Sequence, residues 1–194
     1  MQEKIITKGN TLEIVERSGV DNTWTSQFSR DVQGDTVVSI LPYRATSTGI
    51  EFLVNYEFVP AWAEKEEDIF MVAIEGTTKP GEKSIDTVRN VLETKSGYII
   101  DPKKTDFIGV VLPSKTSVRS HFMVSVDLTD KEQGEKELDN TFIEQTMRCE
   151  WVSIEEILKT SYDAILRNML IESLYDTVLE GLELDDSREN GNTE

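Results

Sequence analysis

Few side chains in this sequence can do polar chemistry in company. His121 is the only histidine, so neither a histidine metal centre nor a histidine acid–base pair is on offer. Cys149 is the only cysteine, and the sequence sets no base beside it; preceding Glu150-Trp151 in a strand-like run, it reads as packed and not nucleophilic. Carboxylates remain. The stretch GTTKPGEKSIDTVRNVLETKSGY, Gly76 to Tyr98, carries Glu82, Asp86 and Glu93. Oxygen ligands of this type suit Mg²⁺ or a similar hard ion, provided they share a helix face by standing three or four positions apart. Further on, SKTSVRSH places Lys115, Arg119 and His121 in a basic loop, read either as plain surface or as a contact for an anion or an acidic partner.

The elements that must hold these groups are legible from periodicity. EKIITKGNTLEIVERSG has two apolar runs around the turn composition Lys8-Gly9-Asn10, which predicts a short β unit. GDTVVSILPYR predicts a buried strand ending at Pro42, IEFLVNYEFVP an alternating one, and IFMVAIEG a third. Ile85, Val88 and Leu92 predict a helix over 84–95, with Gly97 as its C-cap. YIIDP, DFIGVVLP and HFMVSVDL are three more strand candidates, and TDKEQGEKELDNT a solvated loop. In EWVSIEEILKT a strand-like piece leads to Ser153, which with Glu156 three residues on forms a capping box. SYDAILRNMLIESLYDTVLEGL predicts a longer C-terminal helix whose Met and Leu stripe is core. The class is α/β (α+β), a mixed α/β sandwich.

The totals narrow the function. At 194 residues, with 38% apolar and 29% charged, the chain suits one globular domain. Its net charge of −17 argues against nucleic acid, where Lys and Arg supply the affinity. The acids are spread over several segments, which favours a solvated surface over mimicry of a nucleic acid. No run is long enough to cross a bilayer, and MQEKIITKGN lacks the apolar stretch of a signal peptide. One cysteine permits no intrachain disulfide, so a cytoplasmic setting away from membranes is expected. Three segments are expected: an N-terminal β unit (1–33), a main domain (34–180) and an acidic, disordered tail (181–194).

Gly76, Glu82 and Gly97-Tyr98, with these spacings, resemble the frame of the Nudix box of pyrophosphohydrolases. IEGTTKPGEK, GVVLPSKTSVRSHFMVSVDLTD and EWVSIEEIL are similar to the surroundings of that box in the ADP-ribose pyrophosphatase branch, so the likeness spans Gly34 to Leu170. The resemblance implies a Nudix-type α/β/α sandwich and, through the N-terminal unit, a homodimer. It also implies that the catalysts are gone. Asn90 stands where the family has an arginine, Val91 where it has that arginine's glutamate, and Thr94 and Lys95 where it has two adjacent glutamates. The loop that often supplies a glutamate base, SKTSVRSH, has no acid. A cation would meet Lys95 with about 4 kcal/mol of repulsion per unit charge at 4 Å and an effective dielectric near 20. Neighbouring acids do not restore the site: Glu93 is turned about 100° away, and Glu82 alone is insufficient.

The expectation is therefore a catalytically inactive Nudix-fold protein, with no metal and no cofactor. It would act as an interaction or assembly module and retain, at most, binding of an ADP-ribose-like nucleotide through Arg44, Trp62, Glu82, Lys115 and Arg119. Two alternatives stand beside it: an active pyrophosphohydrolase with a non-standard metal site, and an acidic structural or accessory protein without a small-molecule ligand.

Overall fold

Phe52, Val54 and Tyr56 alternate with Leu53 and Asn55 along one strand, and a strand sends successive side chains to opposite faces. Both faces of this strand are covered. The computed structural model of the protein describes residues 2–9, 12–18, 25–31, 36–59, 61–65, 67–101, 104–112, 119–136 and 147–175. Among them a seven-stranded mixed sheet is built from β4 (Thr36–Thr46), β5 (Gly49–Glu57), β6 (Phe70–Val72), β7 (Ile74–Thr77), β8 (Thr105–Val111), β9 (Ser120–Asp127) and β10 (Arg148–Ser153). Its main path runs β10-β5-β4-β9-β8, with β6 on β5 and β7 on β4. The pairing of β4 with β9 is parallel, and the other pairings are antiparallel.

Among the described residues three helices cover the sheet. Helix α1 (Ser84–Ser96) packs Val88 and Leu92 on one face, over Val38, Ile40, Leu53 and Val124. The other face carries α2 (Ile154–Thr160) and α3 (residues 164–175), which press Ile157, Ile165, Leu166 and Met169 on Leu41, Phe52, Val54 and Met123. The helix ends follow their sequence signals. Gly97 takes the left-handed conformation (φ 77°, ψ 8°) that glycine adopts without a Cβ penalty, and its amide closes on Glu93 O. Ser153 Oγ accepts the Glu156 amide at 3.2 Å, the N-cap bond expected for α2.

The N-terminal β unit is a separate three-stranded antiparallel sheet of β1 (Gln2–Lys8), β2 (Leu12–Ser18) and β3 (Thr25–Asp31). Ion pairs join its strands: Arg17 and Arg30 reach Glu3 at 2.8 Å, and Arg30 also reaches Glu13 at 2.9 Å.

Three expectations change. β4 does not stop at Pro42 but runs to Thr46. Its antiparallel neighbour changes from β7, over 37–40, to β5, over 43–46, so the amide that proline lacks falls where the ladder changes partner. IFMVAIEG is two short strands broken at Ala73, not one. The described part of YIIDP, residues 98–101, joins no ladder: Tyr98 and Ile100 are buried on the α1 side while Ile99 faces solvent. The helix expected over SYDAILRNMLIESLYDTVLEGL is present over 164–175; Ser161, Tyr162 and Asp163 precede it without being helical, and residues 176–182 and the acidic tail lie outside the described residues.

Candidate functional site

Glu82 opens the turn before α1, and its two oxygens are taken by neighbours. Oε2 accepts the Lys79 amide at 3.1 Å, and Oε1 accepts Asn90 Nδ2 at 3.3 Å. One turn along, the Thr94 hydroxyl donates back to Asn90 O at 2.8 Å and lies 3.3 Å from Val91 O. These are self-contained, neutral or singly charged contacts within the helix and its entry turn. Asn90 and Glu82 are thus joined side chain to side chain, while Thr94 is spent on the backbone of its own helix.

Val91 lies elsewhere. It packs half-buried against the apolar cluster beneath α1, and the helix meets β7 at Gly76. A Cβ on Gly76 would fall inside the envelope of Val91 Cγ2, and 3.7 Å from the Thr87 methyl. Glycine is thus the residue that lets strand and helix approach this closely. The position that the resemblance gives to a catalytic carboxylate is a packing contact.

Lys95 sits in the last turn, where a cation also suits the helix C-terminus. Its charge acts on two groups, Glu57 on β5 and Cys149 on β10. The Glu57 carboxyl is raised by burial; Lys95 opposes this, and the charge of Glu75 adds to it. The Cys149 thiol is likewise raised by burial, with Lys136 and Lys95 pulling the other way. Cys149 Sγ donates to Lys95 O at 3.4 Å. Around Lys95, therefore, stand a protonation-prone carboxyl, a neutral thiol and Asn55, whose Nδ2 donates to Glu57 Oε2. This is a poor assembly for holding a divalent ion, and among the described residues no group of three His, Cys, Asp or Glu side chains is placed to hold one.

The remaining candidates are scattered. Arg44 gives Nε and Nη2 to Glu51 Oε2 at 2.9 and 2.7 Å and lies over the Trp151 ring at 4.3 Å from its centroid. Its guanidinium is committed to the hairpin and the ring. Trp62 is 43% exposed and meets Phe70 edge-on with centroids 5.7 Å apart. Arg119 donates to Thr77 Oγ1 at 2.8 Å, tying the start of β9 to the end of β7. Lys115 lies outside the described residues.

One polar group went unnoticed in the sequence. Ser39, Glu75 and His121 stand side by side on β4, β7 and β9, on the face covered by α3. Ser39 Oγ donates to Glu75 Oε1 at 2.6 Å and lies 2.8 Å from His121 Nδ1, which is itself 3.0 Å from Glu75 Oε1. The composition is that of a hydrolytic triad, but the geometry is not. In a relay the hydroxyl and the carboxylate engage opposite ring nitrogens; here both engage Nδ1. Ser39 is also fully buried, so no substrate reaches its oxygen. The three satisfy one another as a buried polar cluster should. The sequence signal was a lone serine inside the apolar run TVVSILPY.

No protein-family model matches the chain, and comparison with curated proteins found no match. Among the described residues no helix is long and apolar enough to cross a membrane.

Proposed function

We propose that this chain is a Nudix-type fold that has given up hydrolysis and serves as an interaction or assembly module. The observation that carries the reading is Val91 closed against Gly76. A glutamate there would have to bury its charge in the α1-side core, at several kcal/mol without a partner. Asn90, Thr94 and Glu82 support the reading by satisfying one another, and Lys95 by bringing positive charge to the place where a cation would be needed. Self-association through the N-terminal unit belongs to the proposal: β1 is exposed along its whole length and turns Ile5 and Ile6 to solvent. So does a cytoplasmic location.

Binding of an ADP-ribose-like nucleotide without cleavage is the weaker part of the reading, because Arg44 is engaged by Glu51 and Trp151. Thermal shift with ADP-ribose and NAD, with and without Mg²⁺, tests both parts, since a ligand that binds only the folded state raises the melting temperature. An assembly module without ligand gives no shift, and a nucleotide-binding one gives a shift that ignores Mg²⁺. Mg²⁺-dependent release of AMP from ADP-ribose would overturn the proposal.

A further inference from the structure

On the face opposite α1, between β8 and the last described turn of α3, a cleft of about 510 Å³ opens beside the β4–β5 hairpin. That is within the range of pockets for small molecules. Its floor is apolar, made by Leu41, Phe52 and Ile108, and it is separate from the box residues on α1. Its polar lining is Asp106 on β8, Ser125 on β9, Tyr43 on β4 and Ser173 on α3. Asp106 lies opposite Ser125 in the ladder, and Tyr43 opposite Asp127.

The electrostatics of this wall have one sign. Among the described residues that line the cleft there is one carboxylate, Asp106, and no Lys or Arg. The Tyr43 phenol is held above its ordinary value by burial first, then by the charges of Asp127 and Asp106, so it stays neutral in a negative field. Lys104 lies near enough to Asp127 to act on it, though less than Thr129 does, and it does not line the cleft. An anion entering here would leave water for a place where none of the described lining residues is a cation. A cation would gain Asp106 and be drawn in by a chain of net charge −17.

We propose that the cleft between β8 and α3 is a binding site for a small organic amine: an ammonium group that meets Asp106, carried on an aromatic or branched apolar body that fills the floor of Leu41, Phe52 and Ile108. This goes beyond the module reading and does not depend on it.

Three probes of one shape and different charge test the site on the full chain: tryptamine, the neutral alcohol 2-(indol-3-yl)ethanol, and indole-3-propionate. Saturable binding is measured by calorimetry and by amide shifts at neutral pH and low salt. Tryptamine should bind best, the alcohol about five- to tenfold more weakly, and the carboxylate more weakly still. Asp106→Asn should bring the amine down to the level of the alcohol and leave the alcohol unchanged. Glu155→Gln, which removes an exposed carboxylate on α2 outside the cleft, should change nothing. Ser125→Phe should fill the cleft and abolish all three. Should that variant fail to fold, the unaltered chain still reports the site through amide shifts at Asp106 and Ser125. No saturable tryptamine binding, equal binding of amine and carboxylate, undiminished discrimination in Asp106→Asn, or shifts confined to other faces each overturn the proposal.

Discussion

Gly76 and Val91 touch across the strand–helix junction so closely that no side chain fits between them. The contact fixes how near α1 lies to β7 and hence where Asn90, Thr94 and Lys95 stand. Gly76→Ala should therefore cost about 1–3 kcal/mol, as overpacking does. Val91→Ala should cost about 1 kcal/mol through lost packing. The double variant should be more stable than the sum of the two costs predicts, because the smaller residue at 91 makes room for the new methyl. Urea unfolding of the four proteins measures the coupling, and simple additivity would show that the two residues do not share this contact.

Glu57 gives the pH dependence a definite sign. Burial raises its carboxyl above the ordinary 4.5, with Lys95 opposing and Glu75 adding to the rise. A group whose folded value is raised contributes stability that is fully present below its unfolded value and lost as the pH climbs through the folded one. Glu57→Gln keeps an oxygen to accept from Asn55 and removes the charge. It should melt higher than the parent at neutral pH, and the advantage should vanish below the ordinary carboxylate range. Melting curves at closely spaced pH values check this. A lower melting temperature at neutral pH, with the difference shrinking on acidification, would reverse the assignment.

What was legible in the sequence is what rests on local pattern. Ile85, Val88 and Leu92 marked α1, Gly97 its end, and Ser153 the start of α2, because periodicity and caps act over a few residues. Partners distant in the chain were not legible. Pro42 looked like a stop because its place between two ladder partners depends on β5 and β7 both returning to β4. Tyr98-Ile99-Ile100 looked like a strand because alternation records which side chains are buried and not whether a ladder partner exists. Ser39 could be seen as an oddity in an apolar run, but its partners lie 36 and 82 residues away. Arg44 could be named as a cation and not as one already paired, since Trp151 reaches it only through the β5–β10 pairing.

Asp163 is built into the fold by three backbone amides. Oδ2 accepts the Ala73 amide at 2.8 Å, and Oδ1 accepts those of Ile165 at 2.8 Å and Leu166 at 3.3 Å. It thus caps α3 and pins that helix to the break between β6 and β7. Asp163→Ala leaves buried amides without an acceptor and should cost about 2–4 kcal/mol. Asp163→Asn keeps an oxygen and removes a charge that burial disfavours, so it should cost less than alanine. Denaturant midpoints for the two variants decide the order; equal losses would mean that the charge itself, and not the acceptor geometry, holds the helix.

Cys149 closes the question of covalent chemistry at the Lys95 end of α1. Nucleophilic attack uses the thiolate, and here burial raises the thiol above its ordinary 9.0 while its proton points to Lys95 O. Lys136 and Lys95 favour the thiolate without overcoming the burial. Alkylation by iodoacetamide should therefore be slower in the folded protein than in urea at every pH, and its rate should still be climbing at pH 9.0, where an ordinary thiol is half ionised. Lys95→Met removes one of the cations that favour the thiolate and should slow the reaction further. A folded-state rate that levels off near neutral pH would instead reveal an activated thiolate beside the last turn of α1.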